Sequence, residues 1–361
     1  MSKRGLIVRI ISRTVEVAVA NAKTILYEMI VINSSSKKIR FTSITSTLIT
    51  QNKTYKRTIS GRDINDSFIP LYTNILSSNT PTLSPNQTGI FFLALNFSKD
   101  LNLSGKIYTQ IRTIEDMGRD CETEVTTIPY ITVIDRLNVV ANPLKGGKWY
   151  CTNGLGNDSV HRRAMITLDG EPLFPQKYAV DLIEYGEDGL YSGDITVLEN
   201  WYCYGKRIYS VGRGRVVVVV DGIPDNVPLE IPTNISFSTA SGNLVIVEME
   251  GIGFGVYCHL IPGSINLKVG DLVETGDVIG LLGNSGNSDA PHLHFHISTT
   301  PTTLDSKQGV VYEFCSFIIH DYIIIEGLDC ADCNRFIVQF TSSTPVLKQL
   351  PQNKQIIQFP L

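Results

Sequence analysis

Three histidines at alternate positions are the residues of this chain best suited to metal chemistry. His292, His294 and His296 are separated by Leu293 and Phe295. Side chains alternate between the two faces of a strand, so the three imidazoles are predicted to lie on one face. Neighbours on that face are roughly 6.5–7 Å apart, which lets two of them share a site but keeps all three from reaching one ion. Neutral imidazole is a preferred ligand of zinc.

The other histidines also lie in the second part of the chain. His161, His259 and His320 follow residue 160, whereas the first 140 residues contain no histidine. We therefore expect the chemistry to reside in the second part. The alternative for the alternating histidines is the polar outer face of a strand. The glycine-rich approach through Gly283 and Gly286 makes that alternative less favoured.

The elements that position these histidines are predicted to be strands. Short apolar stretches separated by Ser, Asn, Gly and Pro run along the chain, and in the first part Val15, Val17 and Val19 alternate with other residues. This pattern is typical of an antiparallel sandwich. In the second part, Asp169-Gly170 predicts a two-residue hairpin turn, and Val216–Val220 reads as a buried strand. The whole chain is therefore predicted to be all-β.

The chain has 361 residues, which suggests two domains. Pro143, Gly146 and Gly147 lie close together and predict a boundary nearby. We expect residues 1–140 to form an Ig-like antiparallel β-sandwich with an accessory role. Residues 141–330 are expected to form the domain that carries the chemistry, and residues 331–361 an extension that packs on it.

The composition argues against two classes of protein, namely nucleic-acid-binding proteins and proteins that span a membrane with helices. The net charge is −4 and only 18% of residues are charged, so a broad basic surface for nucleic acid is not expected. No apolar stretch approaches the roughly 20 residues that cross a bilayer. The basic N-terminus leads into a short apolar stretch that Arg9 and Arg13 interrupt, so no signal peptide is predicted.

Seven cysteines leave at least one thiol unpaired. Cys330 and Cys333 form a single C-x-x-C pair without the second pair that a zinc site of this type needs. We expect them, like the other cysteines, to be ordinary thiols.

Residues from about 242 to 298 resemble the core of the lysostaphin-type, or LytM-type, zinc metallopeptidases. The matching segments are Val256–Leu260, Lys268–Val273, Gly276–Gly280, Gly283–Gly286 and His292–Phe295, with Tyr178–Leu182 and Tyr204–Asp221 upstream. The order of these segments is specific to the family, and the resemblance covers roughly residues 145–320. It implies a lysostaphin-type β-sheet peptidase domain, similar to a duplicated hybrid motif.

The resemblance also implies roles for single residues. His294 and Asp181 would bind zinc. His259 and His292 would flank the zinc-bound water, take its proton and stabilise the oxyanion. The implied activity is a zinc-dependent metalloendopeptidase that cleaves peptide bonds in bacterial peptidoglycan through zinc-bound hydroxide. The implied partner is a peptidoglycan peptide or another Gly- or Ala-rich peptide. The family suggests the cell envelope or secretion, which the N-terminus does not support, so the compartment stays open.

One position departs from the family pattern. The family's first zinc ligand, a histidine four residues before the aspartate, is Lys177 in this chain. A protonated lysine does not ligate zinc, and a catalytic zinc needs about three protein ligands. His161 is the candidate replacement, since it would lie opposite Tyr178 in the hairpin, where a one-residue bulge would turn it towards Asp181. A positional accident is the alternative.

The remaining candidates have simpler interpretations. His296 is expected either to hydrogen bond to His294 from behind the metal or to face solvent. His320 and Cys258 are expected to be structural. The alternative to a peptidase is a non-catalytic peptidoglycan-binding or activator domain with an incomplete zinc site. Lys177 favours that alternative, whereas the presence of the other site residues favours a peptidase.

Overall fold

The structure is a computed structural model that describes residues 5–12, 14–71, 81–115, 123–136, 138–305, 309–326 and 336–361. The chain divides into two compact units, Met1–Arg136 and Leu137–Leu361, called the first and the second unit below. Strands dominate both units, which confirms the all-β prediction. Cys121, Cys330 and Cys333 lie outside the described residues. None of the helices within the described residues is long and apolar enough to cross a membrane.

The first unit contains ten strands and one short helix among its described residues. They are β1 (Leu6–Ile10), β2 (Thr14–Val19), β3 (Lys23–Asn33), β4 (Ile39–Thr50), β5 (Thr54–Ser60), α1 (Arg62–Asp66), β6 (Phe68–Leu71), β7 (Thr82–Leu83), β8 (Thr88–Phe97), β9 (Gly105–Glu115) and β10 (Thr123–Ile134).

Strand β2 joins two halves of the first unit. Its start, Thr14–Glu16, pairs in parallel with β10, and its end, Val17–Val19, pairs antiparallel with β3. The strand order is β5-β4-β9-β10-β2-β3-β8-β6, with β1 on β3 and β7 on β4. One half therefore contains β1, β3, β6 and β8, and the other contains β4, β5, β7, β9 and β10.

The two halves of the first unit pack face to face. The ring of Phe41 on β4 lies 5.4 Å from that of Phe68 and 4.9 Å from that of Phe91, which belong to the other half. Tyr27 Oη on β3 shares hydrogen bonds with Ser46 Oγ at 2.5 Å and Thr109 Oγ1 at 3.1 Å. This two-layer packing agrees with a sandwich, while its Ig-like classification stays a prediction.

The second unit contains the remaining strands. They are β11 (Val139–Val140), β12 (Lys148–Asn153), α2 (Val160–Arg163), β13 (Ile166–Leu168), β14 (Glu171–Leu173), β15 (Val180–Tyr185), a 3₁₀ turn (Leu198–Asn200), β16 (Arg207–Tyr209), β17 (Gly214–Val220), β18 (Asn243–Met249), β19 (Gly253–Leu260), β20 (Leu272–Val273), β21 (Val278–Leu281), β22 (Leu293–Ser298), β23 (Glu313–Glu326), β24 (Ile337–Gln349) and β25 (Ile356–Gln358).

One large sheet organises the second unit. Its order is β11-β23-β25-β12-β15-β22-β19-β18-β17-β20, with β24 on β23. Strand β22 lies between β15 and β19, so Asp181 and Cys258 both face His294 across the ladder. The three central strands thus bring residues from distant parts of the sequence to one place. Residues of β24 and β25 at the C-terminal end belong to the same sheet.

The predicted Asp169-Gly170 turn is present, and both of its residues have positive φ, 51° and 76°. It joins β13 and β14 with Leu168 opposite Glu171. The expected continuation of this hairpin as far as His161 is wrong, because the pairing ends at Ile166 and His161 lies in α2. A bulge is therefore not what orients His161.

Candidate metal centre

Asp181 and His294 form the centre of the site. They face each other on the adjacent antiparallel strands β15 and β22, and directly opposed side chains of such a pair point to the same side of the sheet. His294 Nδ1 donates to Asp181 Oδ1 at 2.9 Å. Both side chains are buried.

His161 reaches the same carboxylate from α2. Its Nε2 lies 2.6 Å from Asp181 Oδ2, and its ring stands almost perpendicular to that of His294, with centroids 4.7 Å apart. The helix is fixed at its start, where Arg162 donates to the Asn157 side chain and Arg163 Nε donates to the Asn157 carbonyl at 2.8 Å. The ligand atoms of His161, Asp181 and His294 all lie within 4.8 Å of one another.

Two further hydrogen bonds hold the candidate metal ligands Asp181 and His294 from the side away from the metal position. Asn153 Nδ2 donates to Asp181 Oδ2 at 2.9 Å, and His296 Nδ1 lies 3.0 Å from His294 Nε2. With Nδ1 of His294 protonated, His296 donates to Nε2. A metal ion on Nδ1 requires the other tautomer, in which Nε2 donates to His296. His296 can therefore support His294 in either state.

Two imidazoles and one carboxylate fit a zinc ion, since catalytic zinc sites combine three such ligands with an open position. The protons now shared between Asp181 and the two histidines must leave when a metal ion binds. A second group, His259, His292 and His294, also has ligand atoms within 4.8 Å of one another. That group lacks the carboxylate that would offset the charge of a divalent ion.

His259 is the residue before the last of β19 and has a positive φ of 63°, which is unusual for a residue with a side chain. Its Nδ1 donates to the backbone oxygen of Ser285 at 2.7 Å, so the neutral ring has its acceptor at Nε2. The ring lies 4.8 Å from that of His292 and 5.8 Å from that of His294, measured between centroids.

His292 is held in a similar way. Its Nδ1 donates to the Ala290 carbonyl at 2.8 Å and lies 3.2 Å from Ser288 Oγ. Its Nε2 is 3.6 Å from Asp181 Oδ1. Both His259 and His292 therefore hydrogen bond to the protein through Nδ1, which leaves Nε2 of each ring for chemistry, and Nε2 of His292 lies beside the Asp181 carboxylate.

Electrostatics favours the protonation states that a metal ion needs. Burial by itself would raise the pKa of Asp181, but the charges of His161 and His292 and hydrogen bonds from His161 and His294 hold that pKa well below its usual range. Burial, and then the neighbouring histidines, lowers the pKa of His259 well below its ordinary value. Burial also lowers the pKa of His294. An ionised Asp181 beside a neutral His294 is the protonation state in which these two ligands bind zinc.

The structure brings together all of the histidines and the aspartate that the sequence singled out for the site, and leaves two candidates aside. His320 hydrogen bonds to Ser343 at 2.8 Å and Gln358 at 3.0 Å, far along the sheet. Cys258 is buried, and burial raises the pKa of its thiol to about 12. Both agree with structural roles.

Lys177 is buried, with 2% of its surface exposed. Its Nζ lies 5.5 Å from the centre of the Tyr178 ring.

Sequence reasoning missed Asn153, Ser285 and Ser288. The two serines lie in the Gly283–Ser288 segment, where the glycines are the stronger sequence signal. Asn153 is 28 residues from Asp181, and nothing local marks it. A bulge between Cys151 and Asn153 sets Asn153 opposite Asp181.

Known proteins are similar to part of this chain in sequence. Residues 201–306 match the model of Peptidase family M23. Over 63 residues the chain is 41% identical to the glycyl-glycine endopeptidase ALE-1 of Staphylococcus capitis, covering 18% of this chain and 17% of that protein. Over 105 residues it is 29% identical to the peptidoglycan DD-endopeptidase ShyB of Vibrio cholerae serotype O1, covering 29% and 20%.

A solved structure is also similar. The catalytic domain of the antimicrobial peptidase lysostaphin from Staphylococcus simulans is 20% identical, covering 45% of this chain and 88% of that chain, with a TM-score of 0.22. The chain spans a fifth or less of the two curated relatives.

The segment that matches the family model contains four of the six site residues. His259, His292, His294 and His296 lie inside it, while His161 and Asp181 precede it. The chain therefore matches Peptidase family M23 over residues 201–306, a segment that includes the His-x-His residues and the Gly-rich approach to them.

Proposed function

We propose that this chain is a zinc-dependent endopeptidase that cleaves peptide bonds in bacterial peptidoglycan. The observation that carries the proposal is the 2.6 Å contact between His161 Nε2 and Asp181 Oδ2. It supplies a third donor beside Asp181 and His294, in place of the histidine that the family has where this chain has Lys177. With His161 included, the proposed site would have the number and type of protein ligands that a catalytic zinc ion needs.

His161, Asp181 and His294 would hold the zinc ion. When bound, the zinc ion would supply Lewis-acid chemistry, which makes water nucleophilic at neutral pH and polarises a carbonyl group. His259 acts as general base, because its neutral ring has Nε2 available as an acceptor while Nδ1 is bonded to Ser285. The same nitrogen then returns the proton to the leaving amine.

His292 would stabilise the negative charge that develops on the carbonyl oxygen. In its protonated form it would donate from Nε2, which lies 3.6 Å from Asp181 Oδ1. The Ala290 carbonyl holds Nδ1, so the ring keeps its direction. Loss of either His259 or His292 should therefore abolish turnover while zinc binding remains.

The proposed substrate class is inferred from the names of two relatives. One is named a glycyl-glycine endopeptidase and another a peptidoglycan DD-endopeptidase. We infer a substrate of the same kind, a cell-wall peptide with small residues at the scissile bond. The competing proposal is a wall-binding domain without zinc, favoured by the lysine at position 177.

Zinc content of the purified chain tests the proposal. Elemental analysis is expected to find about one zinc per chain in wild type and none in His161→Ala. His320→Ala, which removes a histidine outside the site, is the matched control and should keep the metal. Release of peptides from purified peptidoglycan should follow the zinc content.

Each other outcome has a definite meaning. Absence of zinc from wild type, even after reconstitution, rules out the peptidase and leaves the binding domain. If His161→Ala keeps its zinc, the metal is bound instead by the group formed by His259, His292 and His294. Zinc bound without hydrolysis of any wall preparation rejects the proposed substrate.

A further inference from the structure

In the described part of the first unit, the outward side chains of β5, β4, β9 and β10 form a broad exposed sheet surface, which is called the basic face below. Along β9, Lys106, Tyr108, Gln110 and Arg112 are exposed, while the residues between them are buried. The register carries this alternation across the neighbouring strands. The basic face lies apart from the peptidase residues in the sequence and has no role in the proposed catalysis.

Two tyrosines lie side by side on the basic face. Tyr108 is 37% and Tyr130 45% exposed, and their ring centroids are 6.1 Å apart. Lys106 Nζ lies 4.2 Å from the centre of the Tyr130 ring. The two rings are tilted by 55° to each other, so they form an angled apolar platform, called the Tyr108–Tyr130 platform below, with polar hydroxyl groups at its edge.

The charge on the basic face has one sign. Lys56, Lys106 and Arg112 are exposed, and within the described part of the chain none of them forms an ion pair with a carboxylate. None of the described outward side chains on these four strands is acidic. Glu16 on the neighbouring β2 is already paired with Arg136 at 2.7 Å. A positive surface on a chain of net charge −4 points to an anionic partner.

The positions between the cations carry hydroxyl and amide groups. Thr45 lies between Thr58 and Gln110 in the register, and the two threonine hydroxyls share a hydrogen bond of 2.9 Å. The spacing of the cations argues against duplex DNA as the partner. Lys106 and Arg112 are six residues apart on β9, or roughly 20 Å. Duplex DNA has a negative charge about every 1.7 Å along its axis, so the spacing of these few cations does not match the spacing of its phosphates.

We propose that the basic face binds an acidic polysaccharide. A sugar ring has an apolar C–H face, which fits the Tyr108–Tyr130 platform, and hydroxyl edges, which fit the threonine and glutamine groups. Carboxylates along the polymer would pair with Lys56, Lys106 and Arg112. The proposal is independent of the zinc site, because every residue that it needs lies in the first unit.

Affinity electrophoresis of the full chain tests this site. The probes are polygalacturonate as the acidic polysaccharide, dextran as a neutral one, and oligo-dT as a nucleic acid. Wild type should be retarded by polygalacturonate and not by dextran. Tyr108→Ala/Tyr130→Ala should weaken that binding roughly tenfold or more, as loss of aromatic stacking does in other polymer sites. Lys106→Gln/Arg112→Gln should weaken it and reduce its salt dependence.

Lys99→Gln is the control, since it removes one exposed positive charge outside the four strands. It should bind as wild type does. All variants should keep the circular dichroism spectrum and the zinc content of wild type, so that a loss of binding is local. Absence of retardation by polygalacturonate, or unchanged binding by the double tyrosine variant, would overturn the proposal. Tighter binding of oligo-dT than of polygalacturonate would assign the face to nucleic acid instead.

Discussion

Asp181 is the residue on which the candidate metal centre depends. Its two oxygens contact His161 and His294, and Asn153 fixes the direction of Oδ2 by a hydrogen bond of 2.9 Å. We expect Asn153→Ala to lower zinc affinity about 10- to 100-fold, the usual effect of removing a hydrogen bond behind a ligand. Competition with a metallochromic chelator measures it. Asn102→Ala, an exposed change in the first unit, should leave the affinity unchanged, and equal affinity in both variants would contradict the role of Asn153.

Tyr27 makes the stability of the first unit sensitive to high pH. Burial raises its pKa from 10.0 to about 12, despite hydrogen bonds to Ser46 and Thr109 that act in the opposite direction. The unfolded chain loses this proton near pH 10 and the folded chain only near pH 12. Folded protein therefore binds more protons in that window, and stability falls as pH rises through it, by up to about 2–3 kcal/mol. Denaturant titrations at pH 9 and pH 11.5 measure the change.

Tyr27→Phe is the matched variant. It should lose about 1–2 kcal/mol at neutral pH, because the buried Ser46 and Thr109 hydroxyls lose a partner. It should also show a smaller loss between pH 10 and pH 12 than wild type. The same pH dependence in both proteins would mean that other groups cause it.

At the scale of elements, the turn before β18 and the Gly283–Ser288 segment position His259 together. Gly242 has a φ of 60°, and a Cβ there would lie 2.4 Å from the Ser285 oxygen that accepts the His259 proton. We expect Gly242→Ala to lower the melting temperature and to reduce kcat, because Ser285 must move and His259 with it. Thermal unfolding and peptidoglycan hydrolysis measure the two effects.

Gly263→Ala separates backbone strain from the clash. Gly263 has a φ of 76°, and a Cβ there has no neighbour within 4 Å. This variant should lose only the roughly 1–2 kcal/mol of a left-handed non-glycine residue and keep kcat. Equal kcat in the two variants would show that Ser285 does not position His259.

At the scale of the molecule, each unit has its own strands and its own network of strand pairs. We therefore expect two unfolding transitions in calorimetry. Zinc at about 100 times its Kd should stabilise the second unit by about 2.7 kcal/mol, which raises that transition by roughly 5–10 °C. Tyr27→Phe should lower only the other transition. A single transition that responds to both changes would contradict independent units.

The sequence predicted some features of the site directly and others only through the family resemblance. Alternation placed His294 and His296 on one side of β22, where their rings lie 5.1 Å apart, since strand periodicity is a local property. The roles of Asp181, His259 and His292 came from resemblance to a family and stay proposals. The route of His161 to the carboxylate was predicted through a bulge, but a turn of helix held by Asn157 provides it.

The sequence by itself determined the all-β class, the Asp169-Gly170 turn and the alternation of the histidines, because each depends on residues within a few positions of one another. Only the tertiary structure decided which donors meet. The approach of His161 and Asn153 to Asp181, and of Ser285 to His259, depends on how β12, β15, β19 and β22 pair and on a bulge and a helical turn beside them. Such contacts join residues 20 to 28 positions apart, where packing of the whole sheet, rather than local preference, sets the distance.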